Sequence, residues 1–289
     1  MPDVSPYDAE CWKFPEYADY LQRAEKGDAC ARYRVGQLCE LLPCGEQEAV
    51  AWYRLAAEQG HAGAMNELAT CYESGVGVEV DMELAMKWYR RAAELQDTTA
   101  MANLGRLYAS GKGVLPDKEC MVHWYRRAAE LDDAEAQYQL GACYQSGDGV
   151  VQNEAIAAYW YMRAAAQEHG PAQLHLGCLY DSGIGVPQDA ARAYELYRQA
   201  AGRDVPQAMY NLGCCYETGF GTQADQQLAH HWYVRACEAE DAAAQWRMGV
   251  AYRDADFGLE KNLHEARRFL ALSAEQGNES AVADLEELA

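Results

Sequence analysis

The sequence lacks any long apolar run. No stretch of its 289 residues approaches the roughly 20 apolar residues that cross a bilayer, so no membrane association is expected. It is poor in cations, with 24 Lys and Arg against 45 Asp and Glu and a formal net charge of −21. Such a field repels nucleic acid and anionic membrane and favours basic partners. The opening residues, "MPDVSPYDAECWKF", carry neither a basic segment nor an apolar one. No signal peptide is expected there, and the expected compartment is the cytoplasm. Cysteine is plentiful, at 11 residues, but a disulfide frame is not expected. Cys71, Cys143 and Cys215 recur at intervals of 72 residues, too far apart in any repeating fold for the roughly 7 Å Cα limit of a bridge. Free thiols acting as small buried hydrophobes are expected instead.

What the chain has is repetition. "LGRLYASGKGV" at 104–114 returns as "LGACYQSGDGV" at 140, "LGCLYDSGIGV" at 176 and "LGCCYETGFGT" at 212. With the glycine of "LG" as reference, Ala69, Gly105, Gly141, Gly177, Gly213 and Gly249 stand 36 residues apart. Tyr72, Tyr108, Tyr144, Tyr180, Tyr216 and Tyr252 follow three residues later, and Ala64 to Ala244 stand five residues earlier. A second set reads Trp52-Tyr53, Trp88-Tyr89, Trp124-Tyr125, Trp160-Tyr161, Leu196-Tyr197 and Trp232-Tyr233, with Arg268-Phe269 as its decayed last copy. A period of this length is the mark of a stacked-repeat architecture. Each unit reads as two helices. The first ends at Gly-x-Gly, where glycine admits the left-handed conformation of a C-cap. The second starts at Asp81, Asp117, Asn153, Asp189 or Asp225, all good N-caps. The reference glycine lets the two helices approach closely. A phosphate-binding role for the glycine turns is disfavoured, because the Lys-Ser/Thr of a P-loop is missing and the turn recurs.

These columns resemble the Sel-one-like repeat, a relative of the tetratricopeptide repeat, and a bacterial source is expected. Its pattern A-x-x-x-L-G-x-x-Y-x-x-G-x-G-V followed by A-x-x-W-Y-x-x-A-A is matched by "AMANLGRLYASGKGV" and "MVHWYRRAA", with Met121 at the first Ala of the second segment. The resemblance covers residues 27–278. It implies an all-α, right-handed α-solenoid of about seven αα-hairpins. Residues 1–26 would be an N-terminal extension and capping helix, and 279–289 a C-terminal cap. The ends depart from the pattern: "LLPCGEQ" lacks the Gly-x-Gly turn of the first repeat, and "DADFG" replaces it in the sixth.

On the first helix, the invariant positions −5, −1, 0 and +3 fall between about 220° and 360°, and the variable positions −3, −2, +1 and +4 between about 40° and 160°. The variable residues therefore share one face, and the resemblance implies that this face lines the concave groove. The expected partner-binding residues are Asn66, Asn103, Arg106, Tyr138, Gln145, Leu174, His175, Asp181, Tyr210, Asn211, Glu217, Trp246 and Arg253. Tyr138, Tyr210 and Trp246 are the expected anchors, since aromatic residues with amide and charged neighbours typify recognition surfaces. The competing reading is that these three only pad contacts between adjacent first helices.

Chemistry is poorly supported. His230 and His231 point about 100° apart on a helix, and Cys120 with His123 lacks a second pair at zinc spacing. No nucleophile, base and orienter stand together, and no cofactor or metal is expected. Some cysteine-rich relatives are linked to β-lactam binding or hydrolysis through paired cysteines joining successive repeats. Cys237 has no such partner in the next helix, so that activity is not carried over. The expectation is a non-catalytic scaffold or adaptor, monomeric alone, that binds a basic protein or peptide. The alternative is a cognate inhibitor, an immunity protein, of a basic toxin such as a nuclease.

Overall fold

The computed structural model describes residues 16–42 and 45–288. The opening segment, Cys11, Pro43, Cys44 and so part of the "LLPCGEQ" turn lie outside them. Among the described residues every regular element is helical: α1 (Tyr17–Glu25), α2 (Ala29–Glu40), α3 (Glu46–Glu58), α4 (Ala62–Ser74), α5 (Met82–Glu94), α6 (Thr98–Ser110), α7 (Lys118–Glu130), α8 (Ala134–Ser146), α9 (Glu154–Ala166), α10 (Gly170–Ser182), α11 (Ala190–Ala201), α12 (Pro206–Thr218), α13 (Gln226–Glu238), α14 (Ala242–Asp254), α15 (Leu263–Glu275) and α16 (Glu279–Glu287), with one 3-10 turn at Asp256–Gly258. The chain divides into two compact units, residues 1–136 and 137–289.

The expected caps explain where the second helices begin. Asp81, in extended conformation, accepts from the backbone N–H of Leu84, and Asp117, Asn153, Asp189 and Asp225 do the same three residues ahead. Asp97 and Asp241 cap first helices in this way, and so, unforeseen, do the imidazoles of His61 and His169. Five orphan N–H groups at second-helix starts are thereby satisfied. On α5 the apolar stripe Ala85, Met86, Tyr89, Ala92 and Ala93 is buried. A stripe so short cannot be covered within one hairpin, so each helix packs on its chain neighbours. In the first unit α1 packs on α2, and the chain continues to α7 in this manner; in the second unit the same holds from α9 to α16.

The glycine column has the close-packing role expected of it. A methyl group on Gly141 would stand 2.7 Å from Cε1 of Tyr161, and the same ring faces Gly105, Gly177 and Gly213 as Tyr125, Tyr197 and Tyr233. In the Gly-x-Gly turns both glycines are left-handed, as at Gly219 (φ 78°) and Gly221 (φ 69°). A methyl on Gly221 would strike the carbonyl of Ala190 at the start of α11, the second helix of the preceding repeat. That turn glycine therefore serves repeat stacking as well as chain reversal.

The last repeat corrects the sequence register. From α5 onward the residue opening the second helix donates its N–H to the first-helix tyrosine carbonyl, as Asp225 does to Tyr216 and Asn262 to Tyr252. The second interval is one residue longer, because "DADFG" forms a 3-10 turn with Ala255 and Phe257 at positive φ. Leu270, not Phe269, therefore fills the tyrosine slot against Gly249. Phe269 takes the tryptophan place, stacked 5.7 Å from Tyr252.

Candidate functional site

The variable face of the first helices is a hydrogen-bonded ladder. Its base is a buried second-helix tyrosine, whose hydroxyl in four repeats emerges beside the +4 residue. Tyr89 donates to Glu73 Oε2 (3.0 Å), Tyr161 to Gln145 Oε1 (2.8 Å), Tyr197 to Asp181 Oδ2 (3.2 Å) and Tyr233 to Glu217 Oε2 (2.6 Å). Burial pushes all four phenols well above their ordinary pKa, so they remain donors.

In the first unit, Glu73 is buried and receives Arg106 Nη2 at 2.7 Å and Lys112 Nζ at 3.0 Å besides Tyr89. Burial alone would raise its pKa, but Arg106, Lys112 and Tyr89 together hold the carboxyl at about 2. Asn103 donates to Asn66 Oδ1 across one repeat, at 3.1 Å. Glu67 is raised by burial and then by the neighbouring Glu40.

In the second unit the ladder begins with an aromatic group. The Tyr138 hydroxyl lies 3.4 Å from His175 Nε2, and the His175 ring is stacked 5.4 Å from Tyr161. Burial lowers the His175 pKa and keeps the ring neutral. The Tyr210 ring stands 5.7 Å from Tyr233. Arg247 bonds Glu217 at 2.6 Å and Asp256 at 2.9 Å, with its guanidinium over Phe257 at 4.6 Å. Burial raises the Glu217 carboxyl, yet Arg247 and Tyr233 draw it below its usual range. At the C-terminal end, Trp246 Nε1 and Arg253 both donate to Asp284, each at 2.7 Å.

Of the expected contact residues, Asn66 (4% exposed) and Leu174 (6% exposed) are buried and present no surface to a partner; this corrects their place in the set. The wheel angle put them on the variable face, but Asn66 is bonded by Asn103 of the next first helix and Leu174 belongs to the buried core. Arg106 is exposed, and Asn103, Tyr138, Gln145, His175, Asp181, Tyr210, Asn211, Glu217, Trp246 and Arg253 are half-buried. Tyr138, Tyr210 and Trp246 touch neighbouring helices and are half-buried. Sequence reasoning missed Glu73, Arg247 and Asp284 as partners. The available signal was opposite charge at position +4 of one first helix and at −2 or +1 of the next.

Outside the ladder there is little chemistry. Every described cysteine is a free thiol, and burial raises Cys178 and Cys214 above the ordinary thiol pKa, away from a reactive thiolate. Among the described residues no group of three or more His, Cys, Asp and Glu is placed to hold a metal ion. His230 instead packs 6.0 Å from Phe257. No helix among the described residues is long and apolar enough to cross a membrane.

Comparison with known proteins agrees with this architecture. The family model described as Sel1 repeat matches residues 31–61, 62–97, 98–133, 134–169, 170–204, 206–241 and 242–278. Among solved structures, a protective antigen of uropathogenic Escherichia coli with an SLR fold is 30% identical, with a TM-score of 0.74, over 93% of this chain and 66% of its own. A Sel1 repeat protein from Oxalobacter formigenes is 29% identical, with a TM-score of 0.76, over 86% of this chain and 96% of its own. No curated protein matches the sequence.

Proposed function

This chain belongs to the Sel1 repeat family, and on that premise we propose that it is a non-catalytic scaffold whose first-helix face binds a basic peptide or protein segment. The observation that carries this reading is the second-unit face itself, where half-exposed Tyr138, Tyr210 and Trp246 alternate with polar and acidic side chains. Each ring is already held by a neighbour: Tyr138 by Tyr161, Tyr210 by Tyr233, and Trp246 by Asp284. A ring fixed before binding loses little rotamer freedom on contact, which favours it as an anchor. The net charge of −21 favours a cationic partner. The same chemistry serves an adaptor or a cognate inhibitor of a basic toxin, and the identity of the captured partner separates the two.

The test is a pull-down from native lysate with the full chain, followed by affinity measurements on Tyr210→Ala and Trp246→Ala beside the exposed control Lys87→Ala. Loss of an anchor should cost roughly 2 kcal/mol or more, about thirtyfold in affinity. Binding is compared below each variant's melting point, because both rings also pack within the chain. A partner held equally by both aromatic variants would place the interface elsewhere.

A further inference from the structure

Pairing between consecutive first helices follows a rule of charge from Glu73 onward, and there Asp181 is the carboxylate that breaks it; Glu40, four after Gly36, already departs from the rule, with Glu67 and Thr70 in register in place of a cation. The residue four after the glycine column meets, on the next first helix, the residue two before or one after that column. Glu73 takes Arg106 in this way, Glu217 takes Arg247, and Arg253 takes Asp284. Gln145, which is neutral, lies in the rung of the neutral His175. Asp181 has the carboxylate and the orienting hydroxyl of Tyr197 at 3.2 Å. Its register partners on α12 are Asn211 and Cys214, neither of them a cation. Among the described residues no Lys or Arg pairs with Asp181, although the side chain is half-exposed.

We propose that Asp181, with Tyr197 and Asn211, forms a slot for the guanidinium of an arginine side chain supplied by a basic partner. The assignment rests on the scaffold reading above and adds the recognition chemistry to it. The filled rung at Glu217 shows what such a slot holds. There a Tyr-oriented carboxylate binds a guanidinium whose face lies 4.6 Å over Phe257, in the turn after α14. The turn after α12 carries Phe220 one residue earlier in the repeat, half-buried. Asn211 sends its amide N–H to Cys178 Sγ at 3.9 Å, and its amide oxygen remains as a second acceptor. A carboxylate and an amide oxygen suit a planar fork of donors, and arginine fits that geometry better than the point charge of lysine.

The probe is N-acetyl-arginine amide, titrated into the full chain in about 0.15 M salt, where exposed charges are screened beyond about 8 Å. Backbone and side-chain NMR shifts supply the readout, with N-acetyl-citrulline amide as the neutral isostere. Saturable shifts should centre on Asp181, Tyr197 and Asn211, and should weaken about tenfold with citrulline or in Asp181→Asn. Asparagine still accepts from Tyr197, so the fold should hold, and a melting curve checks it. Asn211→Arg should supply the cation from within the chain, as Arg247 does for Glu217, abolishing the titration and raising the melting temperature. Equal titration of Asp181→Asn, or unsaturable shifts spread over the acidic surface, would overturn the slot. If that happens while partner binding still depends on Tyr210 and Trp246, only the slot is lost. Asp181-dependent arginine binding with a partner indifferent to both aromatic variants would instead remove the anchor assignment and leave the slot.

Discussion

Glu73 shows how a side chain that could not stand alone becomes a keystone. A buried carboxylate without partners is costly, and here Tyr89, Arg106 and Lys112 supply three donors at 2.7 to 3.0 Å. Its pKa is lowered from 4.5 to about 2, so the folded state binds the proton less tightly than the unfolded chain does. The stabilisation is therefore fully present above about pH 4.5 and is lost as pH falls towards 2. Since Arg106 and Lys112 are about half exposed, solvent screens part of it. Glu73→Gln should cost about 1–3 kcal/mol at neutral pH. Melting curves of the two proteins should converge as pH approaches 2, and a pH-independent difference would show that shape, not charge, matters at this rung.

At the scale of the helix, the fold depends on two backbone requirements that recur with the repeat. Tight contact between glycine and a tyrosine ring sets the approach of the paired helices. Gly141→Leu should force Tyr161 from its site and lower stability by about 1–3 kcal/mol or more; an unchanged melting curve would disprove close packing there. The turn from second to first helix places residue Gln96 at φ 64°, and Glu240 likewise at 60°. Glycine occupies the matching left-handed position at Gly60 and Gly277. Gln96→Gly should relieve the left-handed strain and stabilise the protein by about 0.5–1 kcal/mol, less the entropy glycine adds to the unfolded chain. A lower melting temperature would mean that the Gln96 side chain contributes more than its backbone strain removes.

For the molecule as a whole, charge is the property with the widest reach. With a net charge of −21, the folded chain repels itself, and added salt screens that repulsion. The melting temperature should rise between about 10 and 150 mM salt, as the Debye length falls from about 30 to about 8 Å. Association with a basic partner should respond in the opposite sense, being fastest at low salt. Stopped-flow rates that ignore ionic strength would remove long-range attraction from the account of binding.

The repeat was legible because helix period, caps and turn glycines are local, and a period of 36 residues repeats each of them in register. Asp81 caps α5 through its own neighbour Leu84, a relation that three residues of sequence contain. The polar face was only half legible. Its membership followed from the helical wheel, which puts Asp181, Tyr210 and Trp246 there, but the bond that Asn103 makes to Asn66 spans 37 residues, and the burial of Leu174 comes from core packing. The same holds for the partners. Nothing local tells Tyr233 to donate to Glu217, or Arg247 to reach back 30 residues to the same carboxylate. Nor does local pattern reveal that one added residue after Tyr252 moves Leu270 into the tyrosine slot. Caps and stripes are set by a chain's neighbours along itself; which rungs are filled, and that Asp181 is not, is set only when first helices stand side by side and opposite charges come within reach.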